Sequence, residues 1–293
     1  MLFKPFAFYF HIVVTTLYKS ELLLKTMQEV DLKKLETELR LANKSETTIK
    51  NYIFFNQKFL EFIKKDADLA SQDDVKAFLV SLDQKSRATL ALAFASLKFF
   101  YETVLKKDIM QGIELPKSEK KQQNILTKEE IKQLLESADT SKSKLIMSFI
   151  YSTGLRVSEI VNLKVQDINL TDGIGHVKSG KERTFILSEK IIPDLKAFID
   201  KHPSYQYVFS KDKPLTTRNI QKIVKLASRK AGFQKKITPY TLRYSFASHL
   251  IDSGTEMKLV QELLGSSSIN KSSLQPVADD IKKIKSPFDL LYQ

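Results

Sequence analysis

Hydrophobic positions recur at intervals of three and four over most of the first hundred residues. Four segments carry that period and are predicted as helices: Val30–Ala42, Thr47–Lys65, Asp73–Leu82 and Ala88–Lys107. Ser45, Ser71 and Ser86 stand just ahead of the last three, where a hydroxyl accepts from an unpaired amide. Ser71-Gln-Asp-Asp74 resembles a capping box. Neither glycine nor proline occurs between Pro5 and Gly112, which suits helices and argues against strands joined by tight turns. Tyr52, Phe55, Phe59 and Phe62 repeat along the second helix, an aromatic stripe expected to be core rather than a base-stacking platform.

The pattern dissolves from Met110 to Asn124 into polar and basic residues around Gly112 and Pro116, the signature of a linker. It resumes at Thr127-Lys-Glu-Glu130, a second capping box, ahead of helices at Glu129–Ser137 and Lys144–Ser152. After Asp167 the period shortens. Ile174–Lys178 and Thr184–Leu187 read as two antiparallel strands joined at Ser179-Gly180. Helices return at Ile191–Lys201, Arg218–Ala231, Thr241–Ser253 and Met257–Leu264. The expected fold is mainly α, with a small antiparallel β-sheet in the C-terminal domain. Residues 27–110 form a helical domain, 111–124 a linker and 125–293 the second domain. Residues 1–26 read as an N-terminal extension, since Met27 offers an alternative start where the charged amphipathic pattern begins. The apolar run Phe6–Leu17 is too short to span a bilayer, and no membrane role is expected of it.

Composition narrows the chemistry. Among 293 residues there is no cysteine, which excludes disulfides, a thiolate nucleophile and Cys-ligated metals. The four histidines are scattered without ligand spacing, and neither a metal nor a cofactor is expected. A net charge of +13 favours polyanionic partners, nucleic acid first. Three basic positions fit an anion site. Arg156 and Arg243 fall near predicted helix starts, and Lys178 and Lys181 lie on or beside the hairpin turn. Guanidinium forks grip phosphate oxygens in pairs, and helix N-termini add anion affinity. Glu159, three residues beyond Arg156, can hold that guanidinium.

The segment STGLRVSEIVNLKVQDINL, the lysine hairpin and TPYTLRYSFASHLIDSGTEMKLVQELLGSSSI together resemble the tyrosine recombinase (phage-integrase) family, most of all its Xer-type members. The resemblance spans Ile125 to about Asp289, and the preceding helical domain is similar to the family's core-binding domain. It implies a DNA-clamping protein that works by metal-free phosphoryl transfer. A tyrosine attacks the scissile phosphate, two arginines stabilise the charge, a hairpin lysine protonates the leaving oxygen and two His-type positions assist. Arg156 and Arg243 match the arginines. Lys178 matches the lysine in Lys178-Ser-Gly-Lys-Glu-Arg183, with Lys181 as the alternative. The partners implied are double-stranded DNA and a homo- or hetero-tetramer assembled through the C-terminal tail, Ile281–Leu291, in a cytoplasmic, nucleoid-associated setting.

The chain departs from the family at three places. Tyr240 and Ser266 occupy the His-type positions. The nucleophile is expected near Leu274 or Gln275, yet no tyrosine occurs between Tyr244 and Tyr292. The expected function is therefore a DNA-binding recombinase relative impaired in strand cleavage. The alternatives are an active recombinase with a relocated nucleophile and a repurposed DNA-binding regulator.

Overall fold

The computed structural model describes residues 25–82, 85–115, 124–178, 182–265 and 284–292. Lys181, Ser266, Leu274 and Gln275 lie outside this set, as do the Ser179-Gly180 turn and residues 1–24. The chain divides into two compact units, Met1–Lys120 and Lys121–Gln293.

The first unit is helical throughout its described residues: α1 (25–41), α2 (Glu46–Ile63), α3 (Gln72–Ser81) and α4 (Arg87–Phe99). Ser45, Ser71 and Ser86 cap α2, α3 and α4 as their spacing predicts, and Ser71 and Asp74 complete the capping box. Its core gathers Leu35 and Leu39 of α1, Phe55 and Phe59 of α2, Val75 and Phe78 of α3, and Leu97 of α4. The aromatic stripe is buried at Phe55 and Phe59, but Tyr52 is half-buried and Phe62 remains exposed at the rim, its ring 5.6 Å from Phe78. The last expected helix does not run straight to Lys107. A π turn at Phe100–Val104 follows α4, and the wider turn puts two consecutive aromatics, Phe100 and Tyr101, fully into the core.

The second unit is built on α6 (Ser141–Thr153), buried at every position from Leu145 to Thr153 and packed against α10 (Pro239–Asp252). Around this pair lie α5 (Lys128–Glu136), α7 (Val157–Asn162), α8 (Ile192–Lys201), α9 (Thr217–Lys230) and α11 (Met257–Leu264). The sheet has three strands, not two. β1 (Ile168–Asn169) pairs antiparallel with β2 (Ile174–Val177), which pairs with β3 (Arg183–Ile186). Two residues of β1 are too few to show a period, so the sequence pattern missed them. β3 also begins one residue earlier than its apolar pattern implied, so Arg183 sits in the ladder opposite Val177.

Gly154 closes α6 in the left-handed region at φ +63°, and a Cβ there would fall 2.3 Å from the Phe246 ring. Only glycine allows the chain to turn here and lead straight into α7. The described tail residues, 284–292, pack on their own unit. Phe288 and Leu291 are buried, and the Ser286 hydroxyl donates to the Ser152 carbonyl at 2.8 Å. No described helix is long and apolar enough to cross a membrane.

Candidate functional site

α7 starts where α6 stops, with Arg156 as its N-cap residue. Three residues on, Glu159 reaches back and accepts from the Arg156 amide at 2.7 Å and from its guanidinium at 2.9 Å. The same carboxylate takes a two-pronged grip from Arg183, both contacts at 2.7 Å. Arg243, on the second turn of α10, comes within 3.9 Å of it. Three guanidiniums thus surround one carboxylate, leaving the cluster with an excess of positive charge.

The second anchor is the C-terminal end of α11. A helix ends with unpaired carbonyls at the negative pole of its dipole. Here three consecutive carbonyls each take a different arginine: Leu263 from Arg183 at 2.7 Å, Leu264 from Arg243 at 2.6 Å and Gly265 from Arg156 at 3.1 Å. Arg243 also donates to the Gly154 carbonyl at 2.5 Å, tying the site to the turn between α6 and α7. Four stretches distant in sequence, residues 154–159, 183, 243 and 263–265, are joined in this way.

The environments of these groups differ. Burial lowers the Arg243 pKa to about 10, with repulsion from Arg156 adding to it and the Glu159 carboxylate opposing it, so the group stays charged at neutral pH. Burial alone would raise the Glu159 carboxyl; hydrogen bonds from Arg183 and from the Arg156 amide outweigh it and hold Glu159 below its ordinary range. The Arg156 side chain is 42% exposed, against 9% for Arg243 and 7% for Arg183. Arg156 therefore offers donors to solvent, and Arg183 is spent internally.

The remaining residues singled out in the sequence lie as follows. Lys178 pairs with Asp167 at 2.6 Å, its side chain 64% exposed, and it lines a cleft with Glu159, Asn162 and His176. Arg156 and Arg243 thus share partners, whereas Lys178 has its own carboxylate. Tyr240 is exposed on the first turn of α10, and its hydroxyl is hydrogen-bonded to that of Tyr244. That hydrogen bond and partial burial raise its pKa, Arg243 and Arg156 opposing them. His249 is buried with Nδ1 2.7 Å from the Tyr151 hydroxyl, a packing role. Tyr292 lies beside Phe288 with the Lys132 ammonium 5.5 Å from its ring centre, against α5 rather than the arginines.

Sequence reasoning left Arg183 without a role. The signal was available in the strand alternation, since Arg183 shares its face with Phe185, which is fully buried. An arginine on an inward face needs a carboxylate partner.

Known proteins resemble the chain over both of its units. Residues 124–274 match the model described as the phage integrase family, and residues 32–111 match the phage integrase N-terminal SAM-like domain. The chain is 33% identical to tyrosine recombinase XerA of Pyrococcus furiosus over 263 residues, covering 85% of this chain and 90% of that protein. It is 32% identical to tyrosine recombinase XerD of Staphylococcus haemolyticus over 278 residues, 86% and 93% of the two chains. Among solved structures, the XerH site-specific recombinase bound to difH substrate shares 25% identity at a TM-score of 0.64, over 81% of this chain and 77% of that one. A lambda integrase dimer bound to a COC′ core site has the same fold at 19% identity and a TM-score of 0.68, over 85% and 99%. With both units matched and relatives aligned over nearly their full length, the chain belongs to the phage integrase family, among its Xer-type tyrosine recombinases.

Proposed function

We propose that this chain binds duplex DNA as a family recombinase does, that Arg156 and Arg243 hold one backbone phosphate, and that strand cleavage is impaired. One observation carries the reading. The arginine pair is tied to Glu159 and to the end of α11 with net positive charge, while the phenol at the neighbouring His-type position is engaged with a second phenol. The two arginines match the family's anion-binding positions in residue type, and they share partners in this fold. The hairpin lysine is matched but the assisting His-type positions are not: Tyr240 is a weak acid held neutral by Tyr244 and cannot shuttle protons near pH 7 as an imidazole can. The Ser266 hydroxyl has the same deficiency.

Related structures support the DNA reading: XerH is bound to difH and lambda integrase to its core site. The solvent face of α9 supports it further. Arg218, Lys222, Lys225 and Arg229 recur at four and three residues and are all exposed. Such a basic stripe suits a groove or backbone contact. In this reading the helical first unit is the core-binding domain, Lys178 is the hairpin lysine with Lys181 as alternative, and assembly on a synapse is homo- or hetero-tetrameric. The packing of residues 284–292 on their own unit means that any handover of the tail to a neighbour must first release Phe288 and Leu291.

The test is incubation with nicked, labelled duplex DNA, read on a denaturing gel for a protein-linked strand, beside a shift assay for binding. The expected result is salt-sensitive binding without a linked strand. A variant carrying Tyr240→His, Ser266→His and Gln275→Tyr should form the adduct. An adduct from the parent chain would overturn the impairment and point to a relocated nucleophile, and absence of binding would overturn the whole reading.

A further inference from the structure

We propose that Arg183, at the foot of the hairpin, is a positioning residue for the arginine pair. It fixes Glu159 and the last turn of α11, so that Arg156 and Arg243 present their remaining N–H groups to one phosphate. The inference deepens the phosphate-site reading above and rests on it.

The geometry assigns Arg183 this role because each of its three nitrogens is committed within the protein. Its Nε donates to the Leu263 carbonyl and its two terminal nitrogens to the two oxygens of Glu159, all at 2.7 Å, with the side chain 7% exposed. A guanidinium has five N–H donors in a fixed fork. Used this way at one end of a strand, it sets the distance between a carboxylate on α7 and a carbonyl on α11. It cannot reach a substrate from there.

The consequence of removing it can be read from the neighbours. Glu159 already accepts from Arg156 and lies 3.9 Å from the Arg243 guanidinium. Freed from Arg183, its oxygens would be neutralised by the neighbouring guanidiniums of Arg156 and Arg243. Arg243 would be drawn off the Gly154 carbonyl, and the pair would still face the phosphate but with its N–H groups out of alignment.

Arg183 also lies along the point where the chain leaves α11. Gly265 adopts φ +62°, and a Cβ there would sit 3.1–3.2 Å from Cδ, one terminal nitrogen and Cζ of Arg183. The next residue, Ser266, stands at a His-type position. The hairpin is thereby coupled to the backbone at Leu263 and Gly265 through one side chain.

The experiment uses the full chain and a duplex of about 30 base pairs, with affinity measured across a salt series for the parent, Arg183→Gln, Arg183→Lys and Arg156→Gln. Direct phosphate contacts contribute to the slope of log affinity against log salt, at about one per contact, and positioning residues do not. Arg183→Gln is expected to weaken binding about tenfold, the loss of roughly one charged hydrogen bond's worth of alignment, with the slope unchanged. Arg183→Lys keeps the charge but not the fork. It should weaken binding in the same way, and it is the variant that reports if Arg183→Gln fails to fold. Arg156→Gln should weaken binding and lower the slope by about one. Parent-like affinity in Arg183→Lys would reduce the role to plain charge and overturn the inference. A lowered slope in either Arg183 variant would overturn it too, by making Arg183 a phosphate contact. If Arg156→Gln leaves affinity and slope untouched, the phosphate site itself is lost, a failure distinct from that of Arg183.

Discussion

Glu159 and Asp167 are both buried carboxylates paired with a cation of the same hairpin, Arg183 for one and Lys178 for the other. Their surroundings separate them. Glu159 is held by two guanidiniums and an amide, and each of those arginines is held in turn by a carbonyl of α11. Asp167 has the Lys178 ammonium, at the end of a largely exposed side chain, and the Lys164 amide at 3.3 Å. The first contact is a preorganised frame that cannot shift in one place without shifting elsewhere. The second is a tether that a flexible lysine can leave. A phosphate site needs both kinds: fixed donors where charge is to be held, and a mobile one where a proton is to be delivered.

The largest effect should come from removing the centre of the frame. Glu159→Ala leaves Arg183 buried beside Arg243 with no carboxylate between them, which typically costs about 3–5 kcal/mol. Chemical denaturation of the full chain should show the C-terminal unit unfolding earlier by that margin. A pH series sharpens the point. The carboxyl is held below its ordinary value of 4.5, so its contribution is complete above about pH 4.5 and is lost as pH falls through the lowered folded value. Glu159→Gln should flatten the acid limb of the stability profile. An unchanged limb would mean that the frame does not depend on its charge.

Next in size is Arg243→Gln. It leaves the Gly154 and Leu264 carbonyls without their donors and removes a cation already weakened by burial, so the two consequences partly offset. A loss of about 1–3 kcal/mol in stability is expected, together with a salt slope lower by about one. A stability loss with unchanged DNA affinity would make Arg243 a structural residue only.

How much of this was legible in the sequence follows the physics of each part. Helices and caps were readable because their signals are local: Ser71 and Asp74, or Thr127 and Glu130, need nothing but each other. The sheet was half readable, since β1 is two residues long and draws its pairing from β2. Arg156, Glu159 and Arg243 could be singled out through turn, helix position and resemblance. That Arg156, Arg183 and Arg243 all meet the carbonyls of residues 263–265 could not be seen, because the end of α11 becomes their common partner only after folding. Arg183 was visible as a letter of the hairpin motif, and its role depended on a one-residue difference in where β3 begins. The positions of Lys181, Ser266, Leu274 and Gln275 lie outside the described residues and stay with the sequence reading.

The smallest effect is expected at the tether, and it tests the comparison most directly. Lys178 reaches the buried Asp167 through a side chain that is 64% exposed, and a contact open to water on the lysine side contributes about 0–1 kcal/mol. Lys178→Ala should therefore leave stability within about 0.5 kcal/mol of the parent, the more so because Asp167 keeps the Lys164 amide. The same small number is what permits the lysine to move: a phosphate oxygen has to outbid only a weak, solvated ion pair. Binding to duplex DNA should then lose about one unit of salt slope in Lys178→Ala. If the slope holds in Lys178→Ala and falls in Lys181→Ala, the proton donor is the turn lysine, and Lys178 belongs with Asp167 in bound and free protein alike. If the stability loss instead rivals that of Glu159→Ala, the lysine is a second fixed post, and the division between frame and tether fails.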